Sequence, residues 1–246
     1  RVLVPMAGDD TTPEGEQVNI YGNHVGSWNF AATAYLNRWK VKIYYEHYFD
    51  DHSQMFFQYG RWKDGHIGLE ITFPKNRFID TFVYEGLGTK DQTGPMLYDS
   101  FWGEFEEQIS AKDNYYNHYL YQGWQHWGMG IGNPLLPGPI YNKNGQITFI
   151  SNRVLAHHIG FCGSPCQSLS YRMLLSYSRH WGTYDNPLNE IKKQFNSLFE
   201  VTYAPQQLKG WSFTVSGAMD RGNLLGNNYG GMLVIRKQGI IKSGNK

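Results

Sequence analysis

The sequence predicts an all-β chain, an antiparallel transmembrane β-barrel to which these residues contribute about nine strands. Three observations predict it. From Ser27 to Asp50 apolar and polar residues alternate through two strands, the alternation recurs along the chain, and short connections alternate with long ones. Strands of about ten residues with one apolar face and aromatic ends are typical of strands between lipid and water. A soluble sandwich also alternates, but its strands are usually shorter.

Composition agrees with strands as the membrane-crossing element. The chain has 246 residues, of which 16% are aromatic and only 17% are charged, and its mean hydropathy is −0.52. No segment approaches the roughly 20 apolar residues of a transmembrane helix, whereas a barrel strand needs an apolar residue only at every second position. The net charge of +1 gives no overall positive field, so we expect no nucleic-acid partner.

The first two strands, joined by a turn at Asn37–Arg38, alternate without interruption. One face of this pair is predicted to contact lipid through Trp28, Phe30, Ala32, Ala34, Leu36, Trp39, Val41, Ile43, Tyr45, His47 and Phe49. The other face is predicted to line the lumen, with charged residues here and in later strands at Lys40, Lys42, Glu46, Glu70, Arg172, Glu200 and Asp220. Because these charges are mixed in sign, pairing that stiffens the barrel is favoured over an ion filter.

Alternation indicates seven further strands. The third contains Ile67 to Phe73, the fourth covers about Phe78–Gly88 with weaker alternation, and the fifth lies within Ile147–Phe161. The remaining four are Leu169–Ser178, Phe199–Tyr203, Trp211–Asp220 and about Gly231–Lys237. We expect residues 1–246 to form one outer-membrane β-barrel domain.

The connections between these strands alternate in predicted length. Short turns are expected at Asn37–Arg38, Pro74–Asn76, Gly163–Gln167 and Pro205–Gly210. Longer loops are expected at Asp51–Asp64, Thr89–Gly145, Gly182–Gln194 and Gly222–Asn228. Short periplasmic turns and longer extracellular loops characterise outer-membrane barrels, which have an even number of strands. Nine strands therefore suggest the C-terminal half of a longer barrel, and the alternative is a complete ten-stranded barrel with one strand uncounted.

The connection from residue 89 to 145 is predicted to be a long extracellular or lumen-plugging loop, and loops of this length are usually functional. Its aromatic rings offer apolar contact to sugar C–H faces, while amide and imidazole groups hydrogen-bond hydroxyls. The predicted carbohydrate-binding residues are Tyr115, Tyr116, Trp124 and Trp127 for stacking and Asn114, His118 and His126 for hydrogen bonding, with Trp102 and Tyr141 as outer candidates. The alternative is that these aromatics pack the loop on itself or fill the lumen.

Catalytic and metal-binding patterns are weak. Glu104 and Glu106 lie in an acidic run that favours a solvated patch over a glycosidase pair, and no GxSxG motif occurs. His47 and residues 50–52 show no repeated ligand spacing, and we expect neither a metal nor another cofactor. The chain is therefore predicted not to be an enzyme.

The two cysteines, Cys162 and Cys166, frame the segment CGSPC. A disulfide across this predicted turn is compatible with an oxidising periplasm. Two free thiols are the alternative, and because the sequence does not fix the geometry that a disulfide requires, both remain open at this point.

Long, distinctive strings occur between about Gly22 and Gly239. They include YGNHVGSWNF, YYEHYFDDHSQMF, GRWKDGHIGLEITFPKN, VYEGLGTKDQTGP, DNYYNHYLYQGWQHWG, IGNPLL, YSRHWGTYDNPL and DRGNLLGNNYGGMLVIRKQGI. Together they resemble the capsule assembly (Wzi-type) outer-membrane family in the form found in Bacteroidetes. The resemblance implies a barrel of roughly eighteen strands, of which this chain is the C-terminal half, and a surface lectin that holds exported capsular polysaccharide.

We therefore expect a non-enzymatic lectin in the outer membrane of a Gram-negative bacterium, with its loops outside the cell. Its expected partners are capsular or other surface polysaccharide and outer-membrane lipid. Many weak contacts along a polymer give firm attachment through multivalency. The alternatives are a channel or export conduit, and a structural partner of other outer-membrane proteins. Whether the long loop folds inward or outward separates the lectin from the channel.

Overall fold

The alternating segments form one large antiparallel sheet. The structure is a computed structural model that describes residues 6–7, 11, 20–21, 26–49, 64–92, 114–117, 125–131 and 133–239. The strands are β1 (Met6–Ala7), β2 (Ile20–Tyr21), β3 (Gly26–Leu36), β4 (Trp39–Phe49), β5 (Gly65–Thr72), β6 (Thr81–Gly88), β7 (Gln125–His126), β8 (Met129–Gly130), β9 (Val154–Cys166), β10 (Leu169–Gly182), β11 (Pro187–Tyr203), β12 (Trp211–Gly222) and β13 (Asn228–Lys237). A short 3-10 helix spans Pro139–Tyr141. The described residues contain no helix that is long and apolar enough to cross a membrane.

Nine of these strands form a single antiparallel sheet in the order β13-β12-β11-β10-β9-β6-β5-β4-β3. Each strand pairs with the next large strand in the chain, and the small pairs β1–β2 and β7–β8 stand apart. The predicted all-β fold with nine antiparallel strands is therefore confirmed. Among the described residues β3 and β13 are the two edges of the sheet and do not pair with each other.

The connections lie at two ends of the sheet. The turn end has the connections 37–38, 73–80, 167–168 and 204–210, and the loop end has 50–64, 89–153, 183–186 and 223–227. The predicted contrast in length holds for the first half of the chain. It is wrong for the second half, where β11 begins at Pro187 and leaves only residues 183–186 where a long loop was expected. The polar run before Gln194 does not alternate, but backbone pairing with β10 makes part of it a strand.

The predicted turn at Gly163–Gln167 is also shorter in the structure. β9 continues to Cys166, with a register irregularity opposite Leu169 and Tyr171. Four positions along an extended strand span roughly 13 Å, well beyond the reach of a disulfide. Cys162 and Cys166 are accordingly free thiols.

Register places the apolar residues of all nine strands on one surface, named here the apolar face. One row runs from Val41 through Ile71, Phe82 and Phe161 to Met173, each opposite the next. Its side chains are exposed in large part: 54% for Ile43, 62% for Val215 and 64% for Leu233, among others. The buried core is small and lies elsewhere, around Leu136, Phe149, Val154 and Ala156.

The opposite surface, named here the polar face, carries cross-strand polar pairs. Lys40 Nζ lies 3.5 Å from Glu70 Oε1, and Arg172 Nη2 lies 3.3 Å from Glu200 Oε1. Other strand pairs are joined by the hydrogen bond from Asn196 Nδ2 to Asp220 Oδ1 at 2.7 Å, the 2.8 Å contact between Thr202 and Thr214 hydroxyls, and the Tyr44–Glu85 hydrogen bond. Opposite charges thus sit on neighbouring strands, as pairing rather than a single-sign filter requires.

Candidate functional site

The long connection 89–153 is held to the loop end of the sheet by Asp64, the residue before β5. Its carboxylate accepts hydrogen bonds from the backbone N–H groups of Asp91 at 2.9 Å and Gln92 at 2.7 Å, and from the Tyr115 hydroxyl at 2.7 Å. Asp64 is only 1% exposed. Burial raises the pKa of its carboxyl, and the three donors oppose that rise. One buried side chain therefore joins two distant parts of the connection.

Asn152 forms the second anchor and is completely buried. Its Nδ2 donates to Asn114 Oδ1 at 2.7 Å and to the backbone oxygen of Tyr115 at 2.6 Å. Its Oδ1 accepts from Gln92 Nε2 at 2.6 Å. Asn114 Nδ2 also donates to Asp185 Oδ2 at 3.0 Å, which ties the connection to the turn between β10 and β11.

Asn117 positions the apolar part of the connection. Its side chain accepts from the backbone N–H of Phe149 and donates to the backbone oxygen of the same residue, both at 2.8 Å. The Phe149 ring, 1% exposed, lies 5.1 Å from the ring of Tyr116 and belongs to the core that contains Val154 and Ala156.

The core residues of the sheet show on which side this connection packs. Ala156 is paired with Leu87 on one neighbouring strand and Ser178 on the other, one position away from residues of the apolar face. Leu87 packs against the same core as Leu136 and Phe149. The apolar core of the connection, which contains Leu136 and Phe149, therefore packs on the polar face at the loop end.

A small hairpin in the connection presents an exposed indole. β7 and β8 are joined by Trp127 and Gly128, whose φ angles are 51° and 75°. Two-residue turns with positive φ at both positions normally use small residues such as Asn-Gly, and a bulky residue in this region is rare. Trp127 is nonetheless 85% exposed, and the backbone oxygen of Gly128 accepts from Ile140 N at 3.1 Å.

The predicted sugar-binding residues thus fall into two groups. Asn114, Tyr115 and Tyr116 belong to the framework: Tyr115 is 4% exposed, and the Tyr116 hydroxyl donates to the backbone oxygen of Ile131 at 2.8 Å. His126 and Trp127 are exposed on the hairpin, with ring centroids 6.2 Å apart. Three of the predicted residues, Trp102, His118 and Trp124, lie outside the described residues. The side chain of Tyr141 also lies outside the described part of the structure.

Sequence reasoning missed the two anchors, Asp64 and Asn152. Asp64 precedes Gly65, whose φ is 151°, and an Asp-Gly pair before a strand is a turn signal that points to a fixed side chain. Asn152 has no comparable local signal, because all three of its side-chain partners lie in distant parts of the chain.

The described histidines and acidic residues show how such side chains are distributed in the sheet and connection. Among the described residues no group of three or more His, Cys, Asp or Glu side chains is placed to hold a metal ion. His157 and His158 lie on opposite faces, as alternation requires: His157 Nδ1 lies 2.9 Å from the Tyr84 hydroxyl, and His158 Nδ1 lies 2.7 Å from the Ser176 hydroxyl. Glu104 and Glu106 lie outside the described residues.

The polar face also contains an open cavity of about 320 Å³ between β6, β9 and β10. Glu85, His158, Arg172 and Leu174 contribute to its lining. Comparison of the chain with protein-family models, with curated proteins and with solved structures found no match. Function must therefore be inferred from the two faces of the sheet and the connection packed at its loop end.

Proposed function

We propose that this chain is part of an outer-membrane β-barrel of a Gram-negative bacterium whose loop end faces outward and binds surface polysaccharide. In this proposal the apolar face contacts lipid and the polar face lines the lumen. The protein acts as a lectin of the capsule assembly type rather than as an enzyme, and it retains capsular or another surface polysaccharide on the cell.

The exposed apolar face is the observation that supports the proposed membrane location. Large side chains such as Phe30, Ile43, Val215 and Leu233 are more than half exposed. Soluble monomers rarely expose contiguous apolar patches larger than a few hundred Å². Burying one such side chain is worth about 1.5–3 kcal/mol, so a lipid environment stabilises a face of this size where water does not.

The height of the apolar face fits a bilayer. On β11 the nine residues from Phe195 to Tyr203 span roughly 27 Å of strand, and a strand tilted by about 40° then covers about 20 Å of depth. The apolar band of outer-membrane barrels is about 25 Å tall, with aromatic girdles at both interfaces. Tyr203 and Phe213 are paired near the turn end, and Tyr177 and Phe195 near the loop end, as such girdles require.

The two strands that have no partner on one side among the described residues also favour a larger barrel. β3 and β13 are eleven and ten residues long, and long apolar edges promote uncontrolled pairing unless another strand covers them. We propose that further strands pair with both edges and close the barrel, as the resemblance to a family with roughly eighteen strands suggests.

Trp127 and His126 support the proposed binding of polysaccharide. The left-handed turn holds the indole at 85% exposure, available to stack on a sugar ring, with an exposed imidazole next to it for hydrogen bonds to hydroxyls. Asn114, Tyr115 and Tyr116 position the loop in this proposal. Packing of the connection on the polar face disfavours an open channel, the alternative function.

Polysaccharide retention tests the lectin function. In a strain whose own copy is replaced by Trp127→Ala, we expect the retained fraction of capsule to fall several-fold, with total polysaccharide unchanged and the excess found in the medium. Trp127→Phe keeps an aromatic face and should retain most of the capsule. Leu208→Ala, an exposed apolar residue at the turn end, is the matched control and should behave as wild type. Unchanged retention in Trp127→Ala removes Trp127 from the site, and unchanged retention after deletion of the gene overturns the lectin function.

A further inference from the structure

At the loop end, the apolar face gives way to positive charge. Arg179 on β10 is directly opposite Lys193 on β11, and Arg221 on β12 is directly opposite Phe195, one row nearer the apolar region. Lys90 adjoins Arg179, because both cations lie over the Trp181 ring, and Arg153 adjoins Lys90, because its Nε donates to the backbone oxygen of Lys90 at 3.1 Å. We name Lys90, Arg153, Arg179, Lys193 and Arg221 the basic patch.

Two aromatic rings contact three of the five cations of the basic patch. Lys90 Nζ lies 4.7 Å and Arg179 Cζ lies 5.2 Å from the centre of the Trp181 ring. Arg153 Cζ lies 3.8 Å from the centre of the Tyr184 ring. Cation–π contacts of this kind orient the charged groups without neutralising them.

The described acidic residues of the large sheet are paired elsewhere or lie on its other face. Within the part of the chain that the structure describes, none of its five cations takes part in an ion pair. The acidic residues in the paired rows of the large sheet, Glu46, Glu70, Glu85, Glu200 and Asp220, all lie on the polar face. Glu190, at the irregular start of β11, is bonded by Lys192 at 2.5 Å.

This arrangement costs stability unless an anion binds. Like charges directly opposite on neighbouring strands, such as Arg179 and Lys193, destabilise a sheet. Arginine and lysine side chains are also the preferred partners of phosphate oxygens. In the row immediately below, the aromatic rings of Tyr177 and Phe195 are neighbours, with Arg221 beside Phe195. A ligand that matches both rows has phosphate at one end and acyl chains at the other.

We infer that the basic patch binds the phosphate headgroup of an anionic membrane lipid whose acyl chains lie along the apolar face. The inference rests on the proposed membrane location, and it adds a specific lipid site on the outer side of the barrel wall. This site is separate from the Trp127 hairpin, since its residues belong to the sheet and its margin rather than to β7 and β8.

The test uses the full chain folded in zwitterionic detergent micelles. Bound lipid is counted by native mass spectrometry as phosphatidylglycerol, or phosphatidylcholine with the same chains, is added. We expect wild type to prefer phosphatidylglycerol. The triple variant Arg179→Gln, Lys193→Gln, Arg221→Gln should bind it about a hundredfold more weakly, because each interfacial cation contributes about fivefold, and phosphatidylcholine binding should not change.

Two controls distinguish binding at the basic patch from binding that depends only on the net charge of the protein. The triple variant Arg38→Gln, Lys209→Gln, Lys237→Gln removes the same charge from exposed positions at the turn end and should lose less than tenfold. Lys193→Gln alone should lose about fivefold and Lys237→Gln alone much less, a comparison that remains valid if the triple variant folds poorly. Equal losses at the two ends overturn the site, because net charge then explains the binding.

The remaining outcomes are also decisive. Wild type that inserts into micelles and binds both lipids equally overturns the site and leaves the membrane proposal intact. Wild type that binds neither lipid and stays outside the micelle overturns both. If millimolar inorganic phosphate displaces phosphatidylglycerol completely, the patch recognises phosphate alone, and the assignment to a lipid fails.

Discussion

The two faces of the sheet are built from the same strands, yet charge is distributed on them in opposite ways. On the polar face acids and bases are interleaved and paired, as Lys40 with Glu70 and Arg172 with Glu200. On the apolar face the paired rows carry no acid, and their cations lie near the ends of the sheet. Side chains alternate between the two faces of a strand, so residues one position apart are suited to different surroundings.

The largest effect on the free energy of unfolding is expected when arginine replaces a leucine on the apolar face, compared with its neighbour on the polar face. Leu175 lies on the apolar face opposite Ile159, whereas Leu174 lies on the polar face opposite Gly160. Leu175→Arg should lower the free energy of unfolding in lipid by about 2–4 kcal/mol. Leu174→Arg, the matched control, should lower it by less than about 1 kcal/mol, because the proposed function places the polar face in a hydrated lumen. Urea titration in phospholipid bilayers measures both, and equal losses would contradict the assignment of the two faces.

Loss of Asp64 is expected to act more locally. Asp64→Ala leaves the N–H groups of Asp91 and Gln92 and the Tyr115 hydroxyl without their acceptor. An unsatisfied buried donor costs about 1–3 kcal/mol, so opening of the connection should become easier by about 3 kcal/mol. Hydrogen exchange at residues 89–92 and 114–117 measures this opening. Asp185→Ala, which removes one exposed bond to Asn114, should change it little, and strand amides of β12 should be unaffected in both.

Removal of one polar-face ion pair is expected to have the smallest effect. The side chain of Arg172 is 50% exposed, and exposed pairs contribute about 0–1 kcal/mol. Arg172→Ala should therefore lower the free energy of unfolding by less than about 1 kcal/mol in the same urea titration. A loss as large as that of Leu175→Arg would mean that the polar face is dry and tightly packed rather than hydrated.

Local pattern explains which parts of the fold were predictable. The first and last residues of β3 and β4 differ from the predicted ones by at most one position, since apolar and polar residues alternate throughout both strands. The start of β11 lies far from its predicted position, because the polar residues there become a strand only through pairing with β10. Alternation reports the surroundings of a side chain, and where strands leave the apolar region both sides are polar and the pattern disappears.

The candidate site was predictable only in part, for a related reason. The aromatic and amide composition of residues 114–127 indicated a binding loop, but composition does not separate a buried ring from an exposed one. Tyr115 is buried because Asp64, distant in sequence, provides its hydrogen-bond acceptor. Trp127 is exposed because a two-residue turn places it at a hairpin tip. Both outcomes depend on backbone geometry and long-range partners rather than on residue type.

The order of the strands has a consequence for folding. Seven of the eight pairings in the large sheet join strands that are separated by 15 residues or fewer, and only the pairing of β6 with β9 spans 65 residues, 89–153. The 65-residue connection is about eight times, or three doublings, longer than the eight-residue connection 73–80. Closing the longer loop therefore costs about 2 kcal/mol more in loop-closure entropy. Local pairings form faster than distant ones. Strands β3–β6 and β9–β13 are therefore two meanders, which we expect to assemble separately and to join late and slowly along β6 and β9.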